Sequence, residues 1–249
     1  MTPKPIKYVL VPISTIGCGK TTVSVCLTGL FPEIFTTVSN DDMSNAKQFF
    51  NKSKLALNTF PAVIMDKNNH EKTHRAAIFD TFDPVKDQVD VKFIALNFLG
   101  EKNPDEFSKD KRIWDITTKR AIERGDNHQK LKLGKGDGTH IYRIIRMFLN
   151  KLEPLDTKEP GSPDLKFDHV IHLNILDNPE DSSLNNVHTI IDQLIQNFPE
   201  LISVKPEDET ILKCYKDALD FKPVVKEKKK KEKVLSGKVT KAKNQKKVK

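Results

Sequence analysis

The sequence predicts a three-layer α/β domain: a mostly parallel sheet of about five strands between helices, with a helical lid over its ligand edge. Three observations carry that prediction. Short apolar runs alternate with segments of helical periodicity along most of the chain, the pattern of repeated strand, helix and strand units. The longest runs are apolar through their middles, as strands covered on both faces are. The first run enters a small-residue turn that opens a helix, which is how such sheets present a phosphate-binding loop.

Taken in order, Tyr8 to Leu30 (YVLVPISTIGCGKTTVSVCLTGL) reads as strand, loop and helix. The loop nearly matches G-x-x-x-x-G-K-[ST], with Ser14 at the first glycine position. Phe35 to Val38 is a second strand ending in Asp41-Asp42, and a helix is expected from Met43 to about Leu57. Phe60 to Met65, closed by Asp66, is a third, followed by a polar, mostly helical stretch through Phe82. Val89 to Leu99 is a fourth strand. Asn103-Pro104-Asp105-Glu106 starts a helix, with Asn as cap, Pro at the first position and acid in the first turn, running to Arg124-Gly125. Gly125 to Gly138 is polar and glycine-rich, the composition of a mobile lid, and Ile141 to Leu152 recurs at helical spacing. Glu153 to Lys166 reads as an exposed loop, Phe167 to Leu176 as a fifth strand, Leu184 to Phe198 as an amphipathic helix and Pro206 to Phe221 as a last helix.

The formal charge of the 249 residues is +8, which would suggest a nucleic-acid binder if it were spread evenly. It is not. Twelve of the 42 basic residues and two of the 34 acidic ones lie between Lys226 and Lys249, so the body has 30 against 32 and is near neutral. The expected division is a folded unit over 1–222 and a disordered lysine-rich tail or interdomain linker over 223–249. Cys18, Cys26 and Cys214 form no C-x-x-C pair, and neither a secretory leader nor an apolar run near 18 residues is visible. The expectation is an intracellular protein, cytoplasmic or nuclear, without a membrane segment.

The chemistry of each motif follows from its residue types. Gly17, Cys18 and Gly19 let backbone N–H groups curl around a phosphate, Lys20 reaches the β- and γ-phosphates, Thr21 offers a hydroxyl to Mg²⁺, and Thr22 continues the helix start. Cys18 is a small residue there and receives no catalytic role. Asp66 at the tip of the third strand is the acid expected beside the metal. Asp41 at the tip of the second strand is placed to take the proton of an attacking hydroxyl, although Asp41 or Asp42 would also suit a helix cap. Lys119, Arg120 and Arg124 put two guanidinium groups on one helix face at the lid's edge, where they can offset phosphoryl-transfer charge. Asp177 and Asn178, after the fifth strand, are where a nucleobase could be read.

Two other patterns are set aside. His70-Glu71-Lys72-Thr73-His74 matches H-E-x-x-H, but a strand end precedes it and no third ligand is signalled, so it reads as a polar surface helix. Asn51-Lys52-Ser53-Lys54 fails the guanine motif N-K-x-D at its last position, which argues against a regulatory GTPase.

With these parts in place, the chain resembles the polynucleotide 5′-kinase group of phosphate-loop phosphotransferases, and within it the kinase domain of fungal tRNA ligases. The resemblance spans roughly Tyr8 to Phe221 and rests on the GCGKTT loop, the double Asp after strand two, and the K-R-x-x-x-R-G of Lys119 to Gly125. It implies transfer of the γ-phosphate of a nucleoside triphosphate, GTP being favoured over ATP, to the 5′-hydroxyl of a broken RNA, with Mg²⁺ as cofactor. Carried over, it makes Lys20 the phosphate ligand, Thr21 the metal ligand, Asp41 the base and Arg120 and Arg124 the lid arginines. Ser44 stands where related kinases often have an arginine after D-D-x to grip the acceptor, leaving Lys47 and Arg75 as the candidates for RNA contact. It also implies tRNA exon ends as partners, with ligase and cyclic phosphodiesterase domains joined to this piece and the tail as a linker. The other classes kept open are a phosphate-loop kinase of a nucleotide or other small metabolite, and a non-enzymatic nucleotide-dependent RNA-binding module.

Overall fold

The computed structural model describes residues 3–101, 104–126, 131 and 138–222. Most of the predicted lid between Gly125 and Gly138, the Asn103 cap and the lysine-rich tail lie outside them. Five parallel strands form one sheet in the order β2-β3-β1-β4-β5: β1 is Ile6–Ile13, β2 Phe35–Ser39, β3 Ala62–Asp66, β4 Asp90–Asn97 and β5 His169–His172. β1 pairs with β3 on one side and β4 on the other, Val9 lying opposite both Val63 and Phe93. Buried on both faces, it sends alternate side chains into two cores. Val9 and Val11 join Val63, Met65 and Phe79 under the helices α2 (Ala46–Ala56) and α3 (Lys72–Phe82). Tyr8, Leu10 and Ile13 join Ile64, Ile94 and Leu96 under α1 (Lys20–Leu30), α7 (Ser182–Asn197) and α8 (Asp208–Leu219). That division is why the run reads as solidly apolar.

The chain leaves β1 towards β2 and, after β3, crosses to β4 on the other side of β1. The crevice at the C-terminal ends of β1 and its neighbours is therefore where a ligand belongs in such a sheet. α4 (Pro104–Lys109), α5 (Lys111–Glu123) and α6 (Thr139–Asn150) stand on this side of the chain order, between β4 and β5. Among the described residues no helix is long and apolar enough to cross a membrane.

Several boundaries differ from the sequence expectation for local reasons. α2 starts at Ala46 rather than Met43, because Asn45 caps it by accepting from Gln48 N at 3.0 Å. Asp41 and Asp42 instead occupy a single 3₁₀ turn, Asn40–Asp42, capped by Ser39. They do not cap α2. The helix expected from Asn103 to Arg124 is two helices, since Asp110 breaks the first and caps the second by accepting from Arg112 N at 3.0 Å. The fifth strand keeps only four residues, His169–His172, of the Phe167 to Leu176 run.

Candidate active site

The loop after β1 curls as its glycines allow. Gly17 and Gly19 have φ of 80° and 85°, the left-handed region that side chains avoid. A Cβ on Gly17 would stand 2.6 Å from the Thr117 carbonyl oxygen of α5, and one on Gly19 would strike the Ser183 side chain. Ser14, in the motif's first glycine position, needs no such freedom. It is buried, donates its N–H to the Asn68 carbonyl at 2.9 Å and its hydroxyl to Asn68 Oδ1 at 3.2 Å. Asn69, at φ 47°, donates its side-chain amide to the Pro12 carbonyl at 3.0 Å. A turn after β3 thus latches the phosphate loop, a role that tandem asparagines did not announce in the sequence.

Four predicted residues converge at this edge. Thr21 at the start of α1 donates its hydroxyl to Asp66 Oδ2 at 3.0 Å. Asp66 ends β3 and lies in register with Ser39, which ends β2 two residues before Asp41. Arg124, just past α5, faces these acids: burial pulls its guanidinium pKa down while the charges of Asp41 and Asp66 oppose the fall. Its Nε and Nη2 are buried with no hydrogen-bond partner among the described residues. A buried guanidinium with unspent donors can receive an anion.

Arg120, one turn earlier, is placed differently. Its Nη1 donates to the Gly17 carbonyl at 3.1 Å, and its Nη2 to the Pro179 carbonyl at 2.5 Å and to Ser182 Oγ at 2.6 Å. It braces the loop against the segment after β5. Lys119 is exposed and pairs with Glu180 at 2.7 Å. Lys20 stands at the first position of α1 beside Thr21 and Thr22, behind the two glycines. Burial pushes the Cys18 thiol pKa up, which suits a packing residue and not a nucleophile.

Asp177 and Asn178 lie exposed past β5, joined to the loop through Arg120's hold on Pro179 and Ser182. Asp177 accepts from Asn174 Nδ2 at 2.7 Å and lines an open cleft of about 630 Å³ at the ends of β4 and β5, with Phe98, Leu99, Arg112 and His172. Lys47 is exposed on α2. Arg75 is not available to an acceptor: it is fully buried, its Nε and Nη2 bonded to Asp164 at 2.6 and 2.8 Å and other donors to the Asn69 and Pro154 carbonyls. Nor is the His70 to His74 stretch a polar surface, since His70 is 5 % exposed and packs on Phe148.

Comparison with known proteins adds the relatives. The family model described as tRNA ligase kinase domain matches residues 9–176, and that described as fungal tRNA ligase phosphodiesterase domain matches 182–249. The tRNA ligase of Candida albicans (strain SC5314 / ATCC MYA-2876) is 43% identical over 228 residues, covering 87% of this chain and 26% of that protein. tRNA ligase 1 of Schizosaccharomyces pombe (strain 972 / ATCC 24843) is 31% identical over 205 residues, covering 80% of this chain and 24% of that protein. The chain thus spans about a quarter of the length of these curated relatives. A solved crystal structure of a fungal RNA kinase is 41% identical with a TM-score of 0.78, covering 88% of this chain and 100% of that one.

Proposed function

This chain belongs to the tRNA ligase kinase domain family, and from that premise we propose that it is an RNA 5′-hydroxyl kinase using GTP in preference to ATP. The acceptor is the 5′-end of a broken RNA, and the reaction serves exon joining in tRNA splicing and RNA repair, inside the cell in cytoplasm or nucleus. The observation that carries the reading is the buried Arg124, with two donors unspent, set beside Asp41 and Asp66 at the mouth of the phosphate loop. It joins a place for a transferring phosphoryl group to an acid that can activate an acceptor. The relatives' names, tRNA ligase and fungal RNA kinase, support the choice of RNA.

In this mechanism the amides of Gly17, Cys18 and Gly19, with Lys20 and the helix start at Thr21 and Thr22, hold the β- and γ-phosphates of the donor. The Thr21 hydroxyl and Asp66 carboxylate, 3.0 Å apart, are the hard oxygen donors that would hold Mg²⁺. Bound there, Mg²⁺ would neutralise phosphate charge. Asp41 accepts the proton as the RNA hydroxyl oxygen bonds to the γ-phosphorus; the bond from that phosphorus to the β–γ bridging oxygen breaks, and the nucleoside diphosphate leaves. Arg124 meets the charge on the phosphoryl oxygens in transit. Asp177 and Asn178 read guanine, and Lys47 meets the RNA strand.

The kinase unit in this reading runs through α8 to residue 222, and 223–249 is a linker in a longer protein that also carries ligase and cyclic phosphodiesterase domains. The decisive experiment incubates the protein with γ-labelled GTP or ATP and a 5′-hydroxyl RNA oligonucleotide. Label on the RNA end, faster from GTP, is expected. Label on free nucleosides or metabolites and none on RNA from either donor would make it a small-metabolite kinase instead.

A further inference from the structure

The turn between β3 and α3 and the first turn of α3 bring together His70, Glu71 and His74, with one ligating atom of each within 4.8 Å of the others. The two rings are 5.2 Å apart, and His70 Nε2 is 3.3 Å from Glu71 Oε1. Nδ1 of both histidines is buried and has no hydrogen-bond partner among the described residues. Buried polar atoms are ordinarily satisfied, so each ring keeps one nitrogen still to be partnered.

We propose that His70, Glu71 and His74 bind one Zn²⁺ ion, as a structural clasp and not a hydrolytic centre. The donor set of two imidazole nitrogens and one carboxylate suits zinc and its transition-metal neighbours, whereas Mg²⁺ and Ca²⁺ take oxygen ligands. The protease arrangement is absent because His70 precedes α3, with Glu71 as the helix cap. Glu71 is then a third ligand in place of a general base. The ligand triangle is wider than the roughly 3.4 Å implied by tetrahedral Zn–N bonds. It closes by rotation of Glu71 and His74, the two half-buried members, while His70 is held between Phe148 and the Glu153 amide that donates to its carbonyl at 2.8 Å. Of the cations nearby, Arg75 is spent on Asp164, Lys151 is exposed with its Nζ 4.0 Å from Glu71, and Lys67 is half-buried.

Such a clasp would stiffen the turn that carries Asp66 and the Asn68 latch on Ser14. The test uses the untagged, metal-stripped full chain in excess Mg²⁺ and GTP, which occupy the catalytic site. Zinc retained after dialysis is measured by elemental analysis, affinity by competition with a chromogenic chelator, and ligand type by the Co²⁺ spectrum. One equivalent of zinc, a thermal midpoint raised by zinc, and a cobalt spectrum without a thiolate charge-transfer band are expected. His74→Ala and Glu71→Gln, which retain GTP binding as the check on folding, should each weaken zinc at least about tenfold. No retained zinc, equal affinity in both variants, or a thiolate band placing the ion on the cysteines would overturn the site.

Discussion

Removing the charge of Asp164 should unfold this protein more readily than any other single loss of a charge outside the cleft. Asp164 and Arg75 are both fully buried and meet through two hydrogen bonds of 2.6 and 2.8 Å. The carboxylate also accepts the Asp156 amide at 3.0 Å, so the Asp164→Asn change strands a guanidinium and disturbs the loop before β5. Leaving one partner of such a pair uncompensated costs about 3–5 kcal/mol, and at this chain length that lowers the melting midpoint by about 6–20 °C. The consequence reaches the ligand, because Arg75 holds the Asn69 carbonyl at 3.2 Å, and Asn68 and Asn69 hold Ser14 and Pro12. Denaturant unfolding and nucleotide titration of Asp164→Asn are the assays, with lower stability and weaker GTP binding expected together. An apolar pair, Arg75→Met with Asp164→Leu, should recover most of the stability. Asp164→Asn within about 1 kcal/mol of the parent, or an apolar pair no better than the single variant, would refute the reasoning.

Four further outcomes follow from the cleft. Asp41→Ala should lower transfer to RNA by about 10²–10⁴-fold with nucleotide binding largely kept, as for loss of a general base; substantial turnover would remove Asp41 from that role. Arg124→Ala should cost at least about a hundredfold in kcat measured by single-turnover phosphorylation, and a change confined to KM would make it a ground-state ligand only. Gly17→Ala should abolish GTP binding in a titration while the chain stays folded, since the new Cβ meets backbone at 2.6 Å. Asp177→Ala should reduce the GTP-over-ATP ratio of kcat/KM by about tenfold, the worth of one charge-assisted hydrogen bond, and an unchanged ratio would place guanine elsewhere.

What could be read from the sequence was whatever chemistry confines to neighbouring positions. The loop from Gly17 to Thr22 and the acid after β2 were legible because strand, turn and helix follow one another in the chain, and parallel register then set Ser39 beside Asp66. Arg75 was misread because its partner lies 89 residues away, in a segment whose Pro and Asp content suggests only an exposed loop. Separation in the chain also hid the hold of Asn68 on Ser14, 54 residues apart, which explains why a serine stands where the motif has glycine. α2 began late because Asn45 competes better for its first turn than Asp42, a contest between adjacent caps that sequence alone leaves open.

The two lid arginines look equivalent in the sequence, four residues apart on one helix face, yet the structure divides their work. Arg120 spends its guanidinium on the Gly17 and Pro179 carbonyls and Ser182, joining the phosphate loop, α5 and the start of α7 into one body. Its cost of immobilisation is met before any ligand arrives. Arg124 is held beside acids and short of partners, so its desolvation is offset only when an anion enters. An arginine already satisfied cannot distinguish the transferring phosphoryl group from empty solvent, whereas an unsatisfied one can. In the proposed transfer, the differential binding that catalysis needs would therefore fall to Arg124, and the rigidity that keeps it aimed to Arg120.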